Sequence, residues 1–280
     1  MNDRKSALKK AEFPRSDKYD ADWVMDGAMG PHPLWLVEWL CEKIELTPQM
    51  RVLDLGCGKA LTSRFLAAEY GVQVCAVDLW TDVHDNWRRL QQAGVADQVT
   101  PLHLEAHALP FAEGFFDAII SIDAYQYFGT DELYLHYLSR YLRPGGFLGM
   151  VVPGLVKPFP DQQVPEHLST PQRSGKVFWE EECLVFHTAS WWQELWQRCQ
   201  RIQVISADHL PDGWRHWRDF ELALEEAGKN LFPSDAEALD ADAGRFITFV
   251  RMVAQRNSTD GYNLYDPDLV NQVEKSRQHD

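Results

Sequence analysis

The stretch RVLDLGCGKA, residues 51–60, constrains this chain more than any other. A short β-rich run ends near Asp54, the chain turns at Gly56 and Gly58, and a helical stretch follows over 60–70. Two glycines in such a strand–turn–helix let backbone come close to a bound nucleotide and tolerate positive φ. The alternation then continues. VQVCAVD (72–78), QVTPLHLE (98–105), FDAIISI (116–122) and FLGMVV (147–152) read as strands, with helices over Thr81–Ala93 and Asp131–Leu142. Pro101 weakens the third of these strands. Strands and helices alternating at this spacing predict a parallel sheet covered on both faces. Residues 153–188 break the rhythm with Pro153, Gly154, Pro158, Pro160, Pro165, Pro171 and Gly175, which marks a loop-rich insertion after the fifth strand. A Trp-rich helix (190–199), a strand (Ile202–Ser206), a helix (213–227) and a last strand (Phe246–Val253) bring the sheet to seven.

The chain has 280 residues, 45% of them apolar, enough for a sizeable core and against a disordered chain. Its net charge of −15 argues against holding nucleic acid by bulk charge. The longest nearly unbroken apolar run, Phe147–Val152, is far short of the roughly 20 residues of a membrane span. The basic start MNDRKSALKKAEF lacks the apolar core of a secretory signal. Five scattered cysteines without a CxxC pair are simplest as reduced thiols, so a cytoplasmic protein is expected. The ten histidines show no HExxH and no Cys/His cluster has zinc spacing, so no metal site is expected. The expected organisation is an N-terminal helical segment and lid over 1–50, a main domain over 51–255 carrying the insertion 153–188, and a polar tail over 256–280. The basic residues Arg4, Lys5, Lys9 and Lys10 belong either to a solvated leader or to a stretch folded over a pocket.

The glycine turn is not a full GxGxxG: position 61, where the third glycine would stand, is Leu61, which weakens a nicotinamide reading. DLGCGKA, Asp78 ending the second strand, LEAHALPF (104–111), FDAIIS (116–121) and LRPGGFL (142–148) come in order, and together they resemble the class I S-adenosylmethionine-dependent methyltransferases. The resemblance covers about 51–153 by motif and extends to about 253 by topology. It implies a Rossmann-like α/β fold and S-adenosyl-L-methionine as cofactor. The implied cofactor site comprises Asp54, Gly56, Cys57, Gly58, Asp78, Leu79, Trp80, Glu105, Ala106 and Ser121. In that site Asp78 takes the ribose, and Glu105 with the amide of Ala106 takes adenine, Glu105 standing where Asp is commoner. An ionised carboxylate suits a ribose diol because it only accepts hydrogen bonds. Asp54, under the turn, could orient loop amides or meet the cofactor's ammonium, and Trp80 could cover one adenine face.

SIDAYQYF, 121–128, follows the fourth strand, at the site facing the transferable methyl. Its Ser-x-Asp-Ala start resembles the phosphoethanolamine methyltransferases, in which the equivalent acid contacts the substrate amine; Gln126 and Tyr127 stand where those enzymes carry a His. A carboxylate among aromatics suits a cation. Asp123 is therefore the candidate for orienting the acceptor, with Tyr19 and His187 as candidates for a base or lid, and Met29, Gly30 and His32 as further lid candidates. The function expected is in-line methyl transfer to N or O of a small-molecule acceptor, an amine being one candidate, by a monomer or homodimer. An RNA or protein methyltransferase, a non-catalytic cofactor-binding regulator and a nicotinamide oxidoreductase are the rivals.

Overall fold

A computed structural model of the chain describes residues 6–258 and 271. Its seven strands are β1 (Arg51–Leu55), β2 (Gln73–Asp78), β3 (Val99–His103), β4 (Phe116–Ile122), β5 (Leu142–Leu155), β6 (Ile202–His209) and β7 (Ile247–Arg256). They form one sheet in the order β3-β2-β1-β4-β5-β7-β6. β1 to β5 pair in parallel, and β7 runs antiparallel between β5 and β6. This is the Rossmann-like α/β sheet that the alternation implies. β3 lies at an edge, which is where a strand carrying Pro101 can be tolerated, because proline has no amide to give a central ladder. β5 is longer than expected. It begins at Leu142, opposite Phe116, and resumes at Phe147, opposite Ala118, so Arg143, Pro144, Gly145 and Gly146 bulge out between them. The expected turn is therefore a bulge inside the strand.

The helices are α1 (Ala21–Gly27), α2 (Pro33–Cys41), α3 (Leu61–Tyr70), α4 (Val83–Gln92), α5 (Tyr134–Ser139), α6 (Glu166–Ser169), α7 (Ala189–Gln197), α8 (Gly213–Ala227) and α9 (Ala236–Asp242). α1 and α9 were not expected; each is too short for a helical period to stand out. Core side chains divide between the two faces of the sheet. One group joins Trp35, Phe65, Trp217 and Phe220 of α2, α3 and α8. The other joins Leu138, Trp192 and Trp196 of α5 and α7 to Tyr125.

Part of the N-terminal stretch packs onto the fold. Leu8 and Phe13 are buried, and the Glu38 carboxylate of α2 accepts the amides of Arg15 (2.9 Å) and Ser16 (2.7 Å) and the Ser16 hydroxyl (2.6 Å). Arg4, Lys5 and most of the expected polar tail, 259–270 and 272–280, lie outside the described residues. No helix among the described residues is long and apolar enough to cross a membrane. Chain order reverses between β1 and β4, and an open α/β sheet leaves its ligand crevice at the carboxyl ends of the strands flanking such a reversal.

Candidate active site

The β1 side of that crevice is the glycine turn. Gly56 (φ +78°) and Gly58 (φ +52°) are both left-handed. A Cβ on Gly56 would collide with that of Ala124, in the loop after β4, so a side chain here is excluded twice, by space and by φ. The amides of Gly56 and Cys57 donate to the Val77 carbonyl at 2.8 and 3.0 Å. Asp78 then fastens the turn to the strand beside it. Its carboxylate accepts the amide of Gly58 at 2.8 Å, and those of Trp80 and Thr81 at 2.8 Å each. A carboxylate has about four acceptor positions, so one remains for a ribose hydroxyl. Asn86, on the buried side of α4, donates to the Gly58 carbonyl at 2.9 Å.

Asp54 is fully buried beneath the turn. Thr62 and Ser63, from the first turn of α3, both donate their hydroxyls to its Oδ2 at 2.6 Å, while Oδ1 has no partner. Burial pushes this carboxyl up to about 6, against the pull of the two hydroxyls. A left-handed glycine turn over a buried carboxylate with one oxygen unspent fits a cofactor carrying an ammonium group and a nucleoside.

The other candidate cofactor residues occupy different settings. Trp80 is 76% exposed, its ring 6.3 Å from that of Tyr127, and Leu79 is half-exposed beside it. Both are accessible at the rim. Glu105 is held by His107, through Nδ1 at 2.6 Å and the amide at 3.0 Å. Burial raises the Glu105 carboxyl, but the His107 bonds outweigh this and hold it below its ordinary value. The Ala106 carbonyl accepts the Tyr134 hydroxyl at 3.1 Å. The Cys57 thiol is buried, and burial pushes it well above its ordinary value. Ser121 is buried with its hydroxyl donated to the Leu55 carbonyl at 2.7 Å, where it ties β4 to β1.

Asp123, the first residue after β4, stands at φ +53°. Left-handed geometry is costly for a residue with a Cβ, and it persists where surrounding bonds impose it. Here the Asp123 amide donates to the Val151 carbonyl at 2.8 Å and its Oδ1 accepts Gln126 Nε2 at 3.1 Å. Oδ2 faces Gly30, so closely that a Cβ on that glycine would lie 2.5 Å from it. Burial pushes the Asp123 carboxyl up to about 7, with the Gln126 amide opposing. Asp123 opens onto a cavity of about 460 Å³, lined also by Met29, Gly30, Tyr127, Lys176, Phe178, Trp217, Glu221 and Asp235. The insertion after β5 supplies one wall, and α8 with the residues leading into α9 supplies another. Met29 bridges the two halves: its sulfur would be 3.1 Å from a Cβ on Gly58 and is 3.9 Å from the Thr81 hydroxyl.

Two catalytic candidates are not brought to Asp123. Tyr19 packs on Trp23 and Phe65, with its hydroxyl 3.4 Å from Glu69 on α3; burial raises it far above its ordinary value. His187 is stacked on Trp191, ring centres 3.5 Å apart, and burial lowers it to about 4. Neither lines the cavity. His32, the third lid candidate, caps α2 by accepting the Trp35 amide at 3.3 Å and stacks on Trp35. Met29 and Gly30 do lie over the crevice.

Sequence reasoning missed Thr62, Ser63, Asn86 and Glu221. Asn86 and Leu90 are the two buried residues of α4, four apart, so a polar residue on the buried stripe was a legible signal. Glu221, between Trp217 and Leu224 on the buried side of α8, carries the same signal. Among the described residues no group of three or more His, Cys, Asp or Glu is placed to hold a metal ion.

Residues 52–146 match a family described as a methyltransferase domain. A sarcosine/dimethylglycine N-methyltransferase of Halorhodospira halochloris is 29% identical over 136 residues, covering 45% of this chain and 49% of the relative. The chain therefore spans about half the length of that relative. Among solved structures, a phosphoethanolamine N-methyltransferase of Haemonchus contortus, in complex with S-adenosyl-L-methionine, superposes with a TM-score of 0.63 at 17% identity, over 92% of this chain and 61% of that one. The [4+2]-cyclase SpnF superposes with a TM-score of 0.62 at 15% identity, over 80% and 81%. These two likenesses are of fold. The matched domain, the sheet order and the glycine turn agree: residues 52–146 are a methyltransferase domain, carried on the fold that these solved structures share.

Proposed function

We propose that this chain transfers a methyl group from S-adenosyl-L-methionine to the nitrogen of a small-molecule amine held in the cavity at Asp123. One observation carries the reading: the half-buried carboxylate of Asp123 opens onto a molecule-sized cavity and also borders, through Met29 and Gly30, the glycine turn. In this reading Gly56, Gly58 and Asp54 hold the amino-acid part of the cofactor, Asp78 a ribose hydroxyl, and Trp80 the adenine. When bound, the cofactor supplies an electrophilic methyl on a sulfonium. Asp123 attracts the amine, aims its lone pair and accepts the proton that the nitrogen releases. A carboxyl raised by burial suits this role, because a proton acceptor works best with a pKa near the working pH. The segment over 28–31 keeps water from the reacting atoms. Tyr19 and His187 act through packing, and Ser121 and Glu105 shape the site from behind and beside it.

The test is transfer of labelled methyl from S-adenosyl-L-methionine into cell extract separated into small metabolites, RNA and protein. Label is expected in an amine of the small-metabolite fraction. Label in RNA or protein alone would overturn the reading.

A further inference from the structure

The walls of the cavity differ in charge from what a zwitterionic amine needs. Five carboxylates line it, Asp123, Glu180, Glu182, Glu221 and Asp235, against two lysines. Both lysines are already engaged. Lys176 lies 3.7 Å from Asp235, and Lys229 lies 3.1 Å from Asp22 and 2.8 Å from Asp26, two residues of α1. A carboxylate or phosphate on the acceptor would find no uncommitted cation in these walls, and it would lose water beside carboxylates.

Glu221 is placed for the opposite kind of group. It is 8% exposed, yet it lines the cavity. Its carboxylate accepts Trp217 Nε1 at 3.3 Å and draws on the Asp235 amide; burial beside Asp235 raises it to about 7, with Lys176 pulling the other way from beyond ion-pairing distance. Trp217 lines the cavity too, so an ammonium there would meet a carboxylate and an indole together, a pairing that favours cations strongly where water is excluded. Asp123 and Glu221 stand on different walls, one at the end of β4 and the other on α8. The cavity thus has a carboxyl on each of these two walls, and Phe178, Phe186 and Leu224 are among its other lining residues.

Building on the acceptor site assigned above, we propose that the acceptor is a diamine without an anionic group: Asp123 receives the nitrogen to be methylated and Glu221, beside Trp217, receives the second nitrogen as an ammonium.

Calorimetric titration of the full chain saturated with S-adenosylhomocysteine tests this, with putrescine, n-butylamine and phosphoethanolamine as probes. Putrescine is expected to bind at least about tenfold more tightly than either of the others, because a buried charged group left unpaired discriminates strongly. Glu221→Gln is expected to bring putrescine to within about twofold of butylamine, while the affinity of that variant for S-adenosylhomocysteine reports that it is folded. Phosphoethanolamine binding as tightly as putrescine would overturn the proposal, as would a preference for putrescine that survives Glu221→Gln, or binding of none of the three. Failure of S-adenosylhomocysteine itself to bind would overturn the cofactor reading, and the diamine proposal with it.

Discussion

The two sides of the crevice are built differently. On the β1 side, local bonds hold nearly everything in place: Asp78 takes three amides, Asn86 takes the Gly58 carbonyl, and Thr62 and Ser63 take Asp54. All of these residues fall within 54–86, a single strand–helix–strand–helix run. On the β4 side, Asp123 has one side-chain partner and a left-handed backbone, and the cavity walls come from segments scattered from Ala28 to Asp235. The first side is a preformed cradle whose chemistry is common to many enzymes. The second is assembled by tertiary packing, and it is there that the proposal seats the acceptor among carboxylates.

That contrast can be broken by mutation. The largest effect is expected from Asp123→Asn, which keeps the shape and removes the charge: kcat/KM should fall on the order of 10²- to 10³-fold, with affinity for S-adenosylhomocysteine within about twofold of the original. Steady-state kinetics and a binding titration check this together, and an equal loss of both would mean that the two sides are not independent. Asp78→Ala acts on the other side. It removes a ribose acceptor and the clasp on three amides, so cofactor affinity should weaken by on the order of 1–3 kcal/mol. Unchanged affinity would remove Asp78 from the cofactor site.

The pH profile sharpens the comparison. Burial holds Asp123 near 7, so the ionised form needed to attract and deprotonate an amine grows as pH rises through that value. Between pH 6 and 8, kcat/KM should increase about tenfold, and Asp123→Asn should abolish that limb. Asp54 gives a smaller effect of another kind. Its folded pKa, about 6, lies above that of an unfolded aspartate, so ionisation favours the unfolded chain and stability is lost as pH rises from about 4 through 6. Denaturant unfolding of Asp54→Asn and the parent at pH 4.5 and 8 should show the variant gaining on the parent by about 2 kcal/mol at the higher pH. The smallest effect belongs to Tyr19→Phe, which loses only a long bond to Glu69: kcat should stay within about twofold of the parent. A large loss there would return Tyr19 to the catalytic machinery.

What could be read from the sequence follows the same division. The turn 56–58, the strand ends at Asp54 and Asp78, and the sheet beneath them are local, and each carries a signal within a few residues. Asp123 was legible because it directly follows an apolar strand. Glu221 carried a signal of burial on its helix but none of its place, and Lys176 neither, since nothing in one dimension brings α8 and the insertion to the end of β4. His187 and Tyr19 show the converse: His187 precedes a Trp-rich helix and Tyr19 lies in a segment that the family resemblance places over the cofactor, but stacking on Trp191 and packing on Trp23 satisfy each within its own neighbourhood. Short helices such as α9 escaped notice because seven residues give barely two turns of pattern.

The most direct test of the account is a structure determined with S-adenosylhomocysteine bound. The ligand is predicted to lie along the turn at Gly56 and Gly58, with its ribose at Asp78 and its sulfur turned toward Asp123 and the cavity. A ligand seated elsewhere, or with its sulfur turned away from Asp123, would contradict it.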